Sequence, residues 1–394
     1  MIDTYISKKI LLLPIFALGL SACINSNSNT SINQSAPNES QEMGALNEPL
    51  ILKDLFLDKF RIGTALSREQ IIGNKTQILP FVNTHFNAIT PENSMKWERI
   101  HPEDGIYDFE AADALVEFSN KNNHFFTGHT LIWHSQVPDW VFEHKDGTLL
   151  TRDELLQRME DHINTVAGRY AGKIEAWDVV NEAFNEDGTL RESKWLTIIG
   201  NDFIEQAFIM AANAAPNAKL YYNDYNLYKP EKRNGVIRLV KELQSKGIKI
   251  DGVGMQAHYS LENPELIDIE DSIKAYSALN IDVLITELDV SVIPFPDEKN
   301  MGADVSLNFD LQEKFNPYPD ALPVAVENEL GERYKALFAI FNRHQDVIKR
   351  VTFWGVSDAQ TWRNDWPMTG RSDYPLLFDR KLKTKPFVSS LNKQ

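Results

Sequence analysis

The 394-residue sequence predicts an α/β fold, a (β/α)8 TIM barrel that forms one domain. Short apolar runs alternate along the chain with segments of helical periodicity, which is typical of βαβ units around a parallel sheet. Eight such runs are present, the number of strands in a closed barrel of this type. Acidic, amide and aromatic residues follow most of the runs, at the strand ends where such barrels collect their functional side chains.

The predicted elements follow one another along the chain. The predicted strands are 60–66, 86–90, 125–133, 174–180, 219–223, 252–258, 281–288 and 350–356. The predicted helices are 111–122, 152–169, 203–213, 232–246, 264–279 and 323–344. A doubly wound sheet is the alternative. Such a sheet usually has fewer strands, and neither the G-x-G-x-x-G nor the G-x-x-x-x-G-K-[ST] phosphate-binding motif is present.

The region before the barrel predicts export and a linker. Residues 1–22 contain a basic start at Lys8 and an apolar core of about ten residues, which is typical of a secretory signal. The residues that end at Cys23 resemble a bacterial lipobox, which implies that Cys23 becomes the lipidated first residue of the mature chain. Residues 23–48 are rich in Ser and Asn and predict a flexible tether, so the barrel domain is expected over 49–392. Plain secretion with a free thiol is the alternative.

The charge and the cysteine content of the chain limit the ligands and partners that are expected. The formal net charge is −16, so binding to the phosphate backbone of nucleic acids is not expected. A single cysteine excludes a disulfide framework and a multi-cysteine metal site. We expect no metal, no cofactor and a monomer. With a lipid on Cys23, the protein would be anchored in a bacterial cell envelope, at an outer membrane or the cell surface; without it, the protein would be secreted.

Two glutamates stand at the ends of two predicted strands. Glu182 follows the apolar run 174–180, and Glu287 lies near the end of the run 281–288. Because the carboxyl ends of parallel strands meet on one face of a barrel, we expect the two side chains to lie close together. Glycoside hydrolysis requires such a pair. A carboxylic acid protonates the leaving oxygen, and a carboxylate stabilises the positive charge that develops on the sugar. The pattern therefore indicates a glycoside hydrolase.

Three further residues are candidates for assisting this pair. Asn181 directly precedes Glu182 and can hydrogen-bond a sugar hydroxyl beside the reacting carbon. His258 is expected on the strand next to Glu287, and Asp289 follows Glu287 by two residues. An imidazole between two carboxylates can hold Glu287 ionised and oriented.

Six stretches, in order over about residues 50–390, carry a resemblance to a known family. They are 90–97 (TPENSMKW), 128–134 (GHTLIWH), 177–182 (WDVVNE), 223–226 (NDYN), 256–258 (QAH) and 286–289 (TELD). Together they resemble a family 10 glycoside hydrolase, an endo-1,4-β-xylanase. The resemblance implies a TIM barrel and hydrolysis of xylan with retention of configuration, for which the two carboxyl groups lie about 5–5.5 Å apart.

Matched residue by residue, the resemblance also implies roles. Glu182 would be the general acid/base and Glu287 the nucleophile, with Asn181 and His258 assisting at the cleavage point. Sugars on the non-reducing side would be bound by Glu92, Asn93, Lys96, His129, Trp133 and Gln256. Trp354 and Trp362 would close over the sugar nearest the cleaved bond, and Tyr225 is a further binding candidate after the strand 219–223.

Some signals have more than one interpretation. The proline-punctuated segment 294–323 leaves the strand of Glu287 and is either a wall of the substrate cleft or a tolerated insertion. Trp140, Trp195 and Trp366 are expected to be structural. A zinc site at the histidines is disfavoured because no H-E-x-x-H spacing occurs.

Two alternative functions also remain at this point. One is a retaining β-1,4-glucanase or exo-glycosidase on the same barrel. The other is a non-catalytic, glycan-binding surface lipoprotein, which the presence of both glutamates disfavours.

Overall fold

A computed structural model of the chain describes residues 50–295, 314–367 and 369–393. The chain divides into the units Met1–Glu48 and Pro49–Gln394, and every described residue belongs to the second unit. The predicted signal, Cys23 and the tether therefore lie outside the described residues. Within the described ranges, no helix has the length and apolar character needed to cross a membrane.

Nine strands are present in the described residues, and eight of them close a barrel. They are β1 (Arg61–Leu66), β2 (Ala88–Pro91), β3 (Phe125–Trp133), β4 (Ala176–Asn181), β5 (Lys219–Asp224), β6 (Gly252–Met255), β7 (His258–Ser260), β8 (Asp282–Ser291) and β9 (Ile348–Phe353). The barrel strands pair in parallel in the order β6-β5-β4-β3-β2-β1-β9-β8, and β6 pairs with β8 to close the ring. This arrangement confirms the predicted (β/α)8 barrel.

The six predicted helices are all present, with ends that differ from the prediction by at most two residues. The α-helices are α1 (Arg68–Ile71), α2 (Leu79–His85), α3 (Trp97–Ile100), α4 (Glu110–Asn122), α5 (Arg152–Arg169), α6 (Lys194–Ile199), α7 (Phe203–Ala214), α8 (Pro230–Ser245), α9 (Leu266–Ser277) and α10 (Val324–Arg343). Short 3-10 turns cover Lys53–Phe56, Thr76–Ile78, Asp139–Val141, Asp358–Gln360, Trp362–Asn364 and Pro386–Ser390.

The long helices carry the sequence signals that their geometry requires. In α10 the buried residues Leu330, Tyr334 and Phe341 recur at spacings that place them on one face, and this face packs into the core. The helix α5 begins with a capping box, because Thr151 accepts the amide of Glu154 while the Glu154 carboxylate accepts the amide of Thr151. This reciprocal pair satisfies two amides that the first turn leaves without partners.

The contact between β3 and β4 depends on a glycine. Gly128 lies beside Trp177 in the register of the two strands. A Cβ atom at Gly128 would lie 2.3 Å from the Trp177 ring, so no larger residue fits here without moving the ring. The register shifts between His129 and Ile132, and beyond this shift Trp133 pairs with Asn181, which brings two predicted site residues together.

The predicted strand 252–258 is wrong in one respect, because it is two strands. The chain turns at Ala257, whose φ of 66° is left-handed and interrupts the extended run after Met255. The chain then resumes as the short strand β7, which pairs only with β8 among the described strands. This register places His258 directly opposite Asp289.

Candidate active site

A cleft of about 1180 Å³ opens at the C-terminal ends of the barrel strands. Its lining includes all but one of the predicted site residues, namely Glu92, Asn93, Lys96, His129, Trp133, Asn181, Glu182, Tyr225, Gln256, His258, Glu287, Trp354 and Trp362. The exception is Asp289, which is fully buried and lies behind His258. The barrel therefore gathers on one face residues that are separated by up to 270 positions in the sequence (Glu92 to Trp362).

Glu182 is half-buried and is held by neutral donors. It follows the last residue of β4 with a left-handed φ of 57°, and its amide donates to the Asn223 carbonyl at 2.9 Å. The Trp133 indole Nε1 donates to Glu182 Oε2 at 2.9 Å, and the Gln256 amide Nε2 donates to Oε1 at 2.9 Å. Neither of these two donors carries a charge.

Glu287 is almost fully buried, with 5% of the residue exposed. The Asn223 amide donates to its Oε1 at 2.8 Å, and His258 Nε2 lies 3.2 Å from its Oε2. Burial favours the neutral acid, but the His258 hydrogen bond and the nearby His129 and Lys96 outweigh it and lower the pKa of Glu287. This carboxylate is therefore kept ionised in a buried position.

His258 is held between two carboxylates. Its Nδ1 lies 3.0 Å from Asp289 Oδ2, while its Nε2 faces Glu287. Burial lowers the pKa of His258, but Asp289 and Glu287 together raise it to about 9. Burial likewise opposes ionisation of Asp289, and Arg363 and His258 overcome this and lower its pKa to about 2.

Arg363 completes this group and was not among the predicted site residues. Its Nε donates to Asp289 Oδ1 at 2.8 Å, and the neighbouring Trp362 donates its indole Nε1 to Asp289 Oδ2 at 2.8 Å. Asp289 therefore receives hydrogen bonds from both residues as well as from His258. The only sequence signal for Arg363 is its position directly after Trp362.

A chain of amides connects the two glutamates. Asn223 donates through the same Nδ2 to Glu287 and, at 2.9 Å, to Asn181 Oδ1. Gln256 Nε2 lies 3.3 Å from Asn181 Oδ1 and also reaches Glu182. The Thr286 hydroxyl donates to Asn223 Oδ1 at 2.6 Å, which fixes the orientation of the Asn223 amide. Because Asn181 Oδ1 is used as an acceptor here, its amide nitrogen is the group left to meet a ligand.

A second polar group lies at the ends of β2 and β3. Lys96 Nζ donates to Asn93 Oδ1 at 2.8 Å and stands 4.7 Å from the centre of the Trp133 ring. Burial lowers the pKa of Lys96 although the surrounding glutamates oppose this, and burial raises the pKa of Glu92. The group offers both charged and amide contacts to a polar ligand beside Glu182.

The remaining predicted residues are fixed by their neighbours. His129 Nδ1 lies 2.9 Å from Asp178 Oδ2, and the His129 ring packs edge-on against Trp354. The Tyr225 hydroxyl accepts a hydrogen bond from Arg191 at 2.7 Å. These contacts orient the side chains before any ligand arrives.

One of the three tryptophans expected to be structural lies in the cleft. Trp195 is buried and donates to the Trp133 carbonyl, and Trp140 donates to the Pro102 carbonyl. Trp366 instead lines the cleft, is 44% exposed and contacts Trp362 with 5.1 Å between ring centres. The prediction for Trp366 is wrong because the chain after β9 folds back and returns this residue to the rim.

The predicted wall or insertion 294–323 is described only at its two ends. Residues 296–313 lie outside the described residues, while Pro294 and Phe295 line the cleft. Among the residues that the structure does describe, no group of three or more His, Cys, Asp or Glu side chains is arranged to hold a metal ion.

Fold and site together define a glycoside hydrolase built on a (β/α)8 barrel, with one buried ionised glutamate and one half-buried glutamate in a shared cleft. The sequence profile of glycosyl hydrolase family 10 matches residues 51–394. The chain belongs to this family.

Similar proteins are found by sequence and by structure. An endo-1,4-β-xylanase A of Xylanibacter ruminicola is 46% identical over 349 residues, which are 89% of this chain and 94% of that protein. An endo-1,4-β-xylanase of Geobacillus stearothermophilus is 42% identical and covers 85% of this chain and 96% of its own length. A family 10 endoxylanase from a sugarcane soil metagenome superimposes with a TM-score of 0.82 at 43% identity, over 87% of this chain and 98% of that one.

Proposed function

We propose that the protein is an endo-acting hydrolase of internal β-1,4-xylosidic bonds in xylan that retains the anomeric configuration. The observation that carries the proposal is the contrast between the two glutamates: the Glu287 carboxylate is buried against His258, whereas the Glu182 carboxylate accepts hydrogen bonds from the neutral donors Trp133 and Gln256. Membership of glycosyl hydrolase family 10 and the similarity to proteins named endo-1,4-β-xylanases support xylan as the substrate. The chemistry uses only side chains of this chain and water.

In the proposed first step, Glu287 is the nucleophile and Glu182 the general acid. A Glu287 oxygen attacks the anomeric carbon, the glycosidic C–O bond breaks, and the departing oxygen takes the proton of Glu182. In the second step Glu182 accepts a proton from water, the water oxygen attacks the anomeric carbon, and Glu287 leaves. Two inversions at one carbon give net retention.

The assisting residues act on this pair. His258, which Asp289 holds protonated, keeps Glu287 ionised until it attacks. The Asn181 amide nitrogen donates to the sugar hydroxyl next to the reacting carbon, because its oxygen already accepts from Asn223. These contacts strengthen as charge moves during the reaction, which is how they lower the barrier.

Sugar binding is assigned to the remaining cleft residues. On the non-reducing side these are Glu92, Asn93, Lys96, His129, Trp133 and Gln256. Trp354 and Trp362 cover the sugar nearest the cleaved bond, and Tyr225 is a further sugar contact in the cleft. Packing of tryptophan over this sugar favours xylose, because glucose would need room for its hydroxymethyl group.

Initial rates on xylan and on carboxymethyl cellulose test the substrate. We expect xylan to be strongly preferred, and a preference for the glucan would assign the β-glucanase alternative instead. The NMR signal of the first anomer released from xylo-oligosaccharides tests the mechanism, because retention produces the β-anomer first. Binding of xylan without sugar release would indicate the non-catalytic alternative.

We also propose that Cys23 carries a lipid and anchors the enzyme in a bacterial cell envelope. The short apolar segment and the small residues before Cys23 support this, together with the Ser- and Asn-rich stretch that follows. Radiolabelled palmitate should be incorporated into the expressed full chain and not into Cys23→Ser. Equal distribution of both forms between membrane and soluble fractions would contradict the anchor.

The catalytic domain is proposed to act as a monomer, because one chain supplies both glutamates and the cleft that surrounds them. Light scattering after size-exclusion chromatography of the domain without residues 1–48 tests this. A stable dimer at micromolar concentration would overturn it.

A further inference from the structure

An aromatic cluster continues the cleft beyond Trp362. The ring centres of Trp362 and Trp366 are 5.1 Å apart, and those of Trp366 and Phe295 are also 5.1 Å apart. All three rings line the cleft. None of the sugar contacts proposed above involves Trp366 or Phe295, which we call the outer aromatic pair.

The outer aromatic pair is unusually exposed for its size. Trp366 is 44% exposed and Phe295 is 47% exposed. Of the large hydrophobic side chains that are exposed in the described ranges, these are the only Phe and Trp, and they touch each other. Single exposed aliphatic residues need no explanation, but two adjoining aromatic rings in a binding cleft indicate a binding surface.

A buried arginine holds the outer aromatic pair in place. Arg371 is 3% exposed, and its guanidinium donates to the carbonyls of Pro294 at 2.8 Å, Trp366 at 3.1 Å and Phe315 at 3.2 Å. These carbonyls belong to both described ends of the segment that follows β8 and to the segment that follows β9. The planar guanidinium of Arg371 therefore connects the backbone next to Phe295 with the backbone of Trp366, and this connection holds the two exposed rings in position.

We propose that the outer aromatic pair is a sugar-binding platform that stacks a xylosyl residue of the substrate beyond those at the cleavage point. The C–H groups of a pyranose ring form an apolar face, and xylopyranose has no hydroxymethyl group to lift it from an aromatic plane. Continuity with Trp362 makes the next part of the same xylan chain the occupant. This inference rests on the proposed xylanase function and adds a determinant of substrate length.

The test compares a long and a short substrate. For Trp366→Ala and Phe295→Ala, we expect kcat/KM on xylohexaose to fall by about three- to tenfold more than kcat/KM on 4-nitrophenyl β-xylobioside. The difference should reside in KM rather than kcat, because the platform lies away from the reacting carbon. Trp366→Phe should recover most of the loss. Ile267→Ala is the matched control, since Ile267 is 58% exposed on α9 and does not line the cleft.

Binding provides a second measurement that does not depend on turnover. Xylohexaose titrated calorimetrically into Glu287→Gln should bind several-fold more tightly than into the double variant Glu287→Gln with Trp366→Ala. Equal losses on both substrates, or no loss of xylohexaose affinity, would overturn the platform. If the unmutated protein hydrolyses neither xylan nor the aryl xylobioside, the proposed function fails instead, so the two failures are distinguishable.

Discussion

Glu182 and Glu287 are the same residue type on the same face of one barrel, but their surroundings differ in charge. Glu287 lies 5% exposed beside His258, whose pKa is raised to about 9, and behind His258 stand Asp289 and Arg363. The half-buried Glu182 carboxylate accepts hydrogen bonds from the neutral donors Trp133 and Gln256, and the charged Arg191 donates to the Glu182 backbone carbonyl instead. We infer that the charged groups hydrogen-bonded behind Glu287, and the uncharged donors on the Glu182 carboxylate, set the proposed roles of nucleophile and acid/base.

The two environments come from different structural devices. Glu287 lies within β8, so the register of β7 on β8 fixes His258 opposite Asp289 and aims it at Glu287. Glu182 stands just past the end of β4 in a left-handed conformation, where the chain leaves the sheet. The interior of β8 thus holds Glu287 and Asp289 in fixed, buried positions on either side of His258. The end of β4 instead presents the Glu182 carboxyl group where water and substrate can reach it.

The largest expected effect comes from the buried member of the pair. Glu287→Gln should lower kcat on every substrate, because an amide cannot form the covalent glycosyl-enzyme intermediate. The loss should exceed the roughly 10⁴-fold upper range of general acid–base catalysis. Rates on xylan and on 2,4-dinitrophenyl β-xylobioside measure it, and an unchanged melting temperature shows that the fold is retained. Substantial turnover of either substrate by this variant would remove Glu287 from the role of nucleophile.

The loss of rate on replacing Glu182, the half-buried glutamate, should depend on the leaving group of the substrate. Glu182→Ala should reduce kcat/KM on xylan by about 10²–10⁴-fold, because the departing sugar oxygen needs a proton. On 2,4-dinitrophenyl β-xylobioside the first step should change little, since dinitrophenolate leaves without protonation. The burst of dinitrophenol measures that step separately from hydrolysis of the intermediate. Equal first-step losses on both substrates would contradict the assignment of Glu182 as the acid.

The hydrogen-bonded pair His258 and Asp289, which lies behind Glu287, predicts that activity depends on pH. Asp289→Asn removes a negative charge that raises the pKa of His258, so this pKa should fall below about 9. His258 then loses its proton at lower pH, and Glu287 loses its charged partner. We expect a loss of about ten- to 150-fold in kcat/KM that grows as pH rises toward 9. Nitrogen-15 NMR of His258 measures the pKa directly, and a pH-independent loss would argue for a purely geometric effect.

The free energy of unfolding should also depend on pH through His258. Because the folded-state pKa of His258 lies above its unfolded value of about 6.5, its stabilising contribution is complete below pH 6.5 and is lost as pH rises through 9. The contribution amounts to no more than about 3 kcal/mol. The melting temperature of the wild type should fall across this window, and that of Asp289→Asn should fall less. If the melting temperatures of the wild type and Asp289→Asn fall equally with pH, the interaction of His258 with Asp289 is not the cause of the fall.

Periodic and local features of the chain were enough to predict the barrel and most of the cleft. The run 174–180 is apolar except at Glu175 and Asp178, and its strand character and the rim position of Glu182 could be predicted from this pattern. Arg363 and Trp366 could not be placed in this way, because their partners Asp289 and Phe295 lie more than 70 residues away and meet them only after the last loop folds back. The turn at Ala257 is likewise invisible in a run that reads as one continuous strand.

The smallest expected effect concerns one of the neutral donors to Glu182. Trp133→Phe keeps an aromatic ring in the cleft but removes the indole N–H that lies 2.9 Å from Glu182 Oε2. Because Glu182 is half-buried, water can replace the lost donor, and the loss in kcat/KM on xylan should be only about two- to twelvefold. Trp140→Phe is the matched control, since its N–H donates to the Pro102 carbonyl and not to a carboxylate, and it should leave the rate within about twofold. If Trp133→Phe lowers the rate as strongly as Asp289→Asn, the donors to Glu182 matter as much as the charges behind Glu287, and the contrast between the two glutamates does not explain their division of labour.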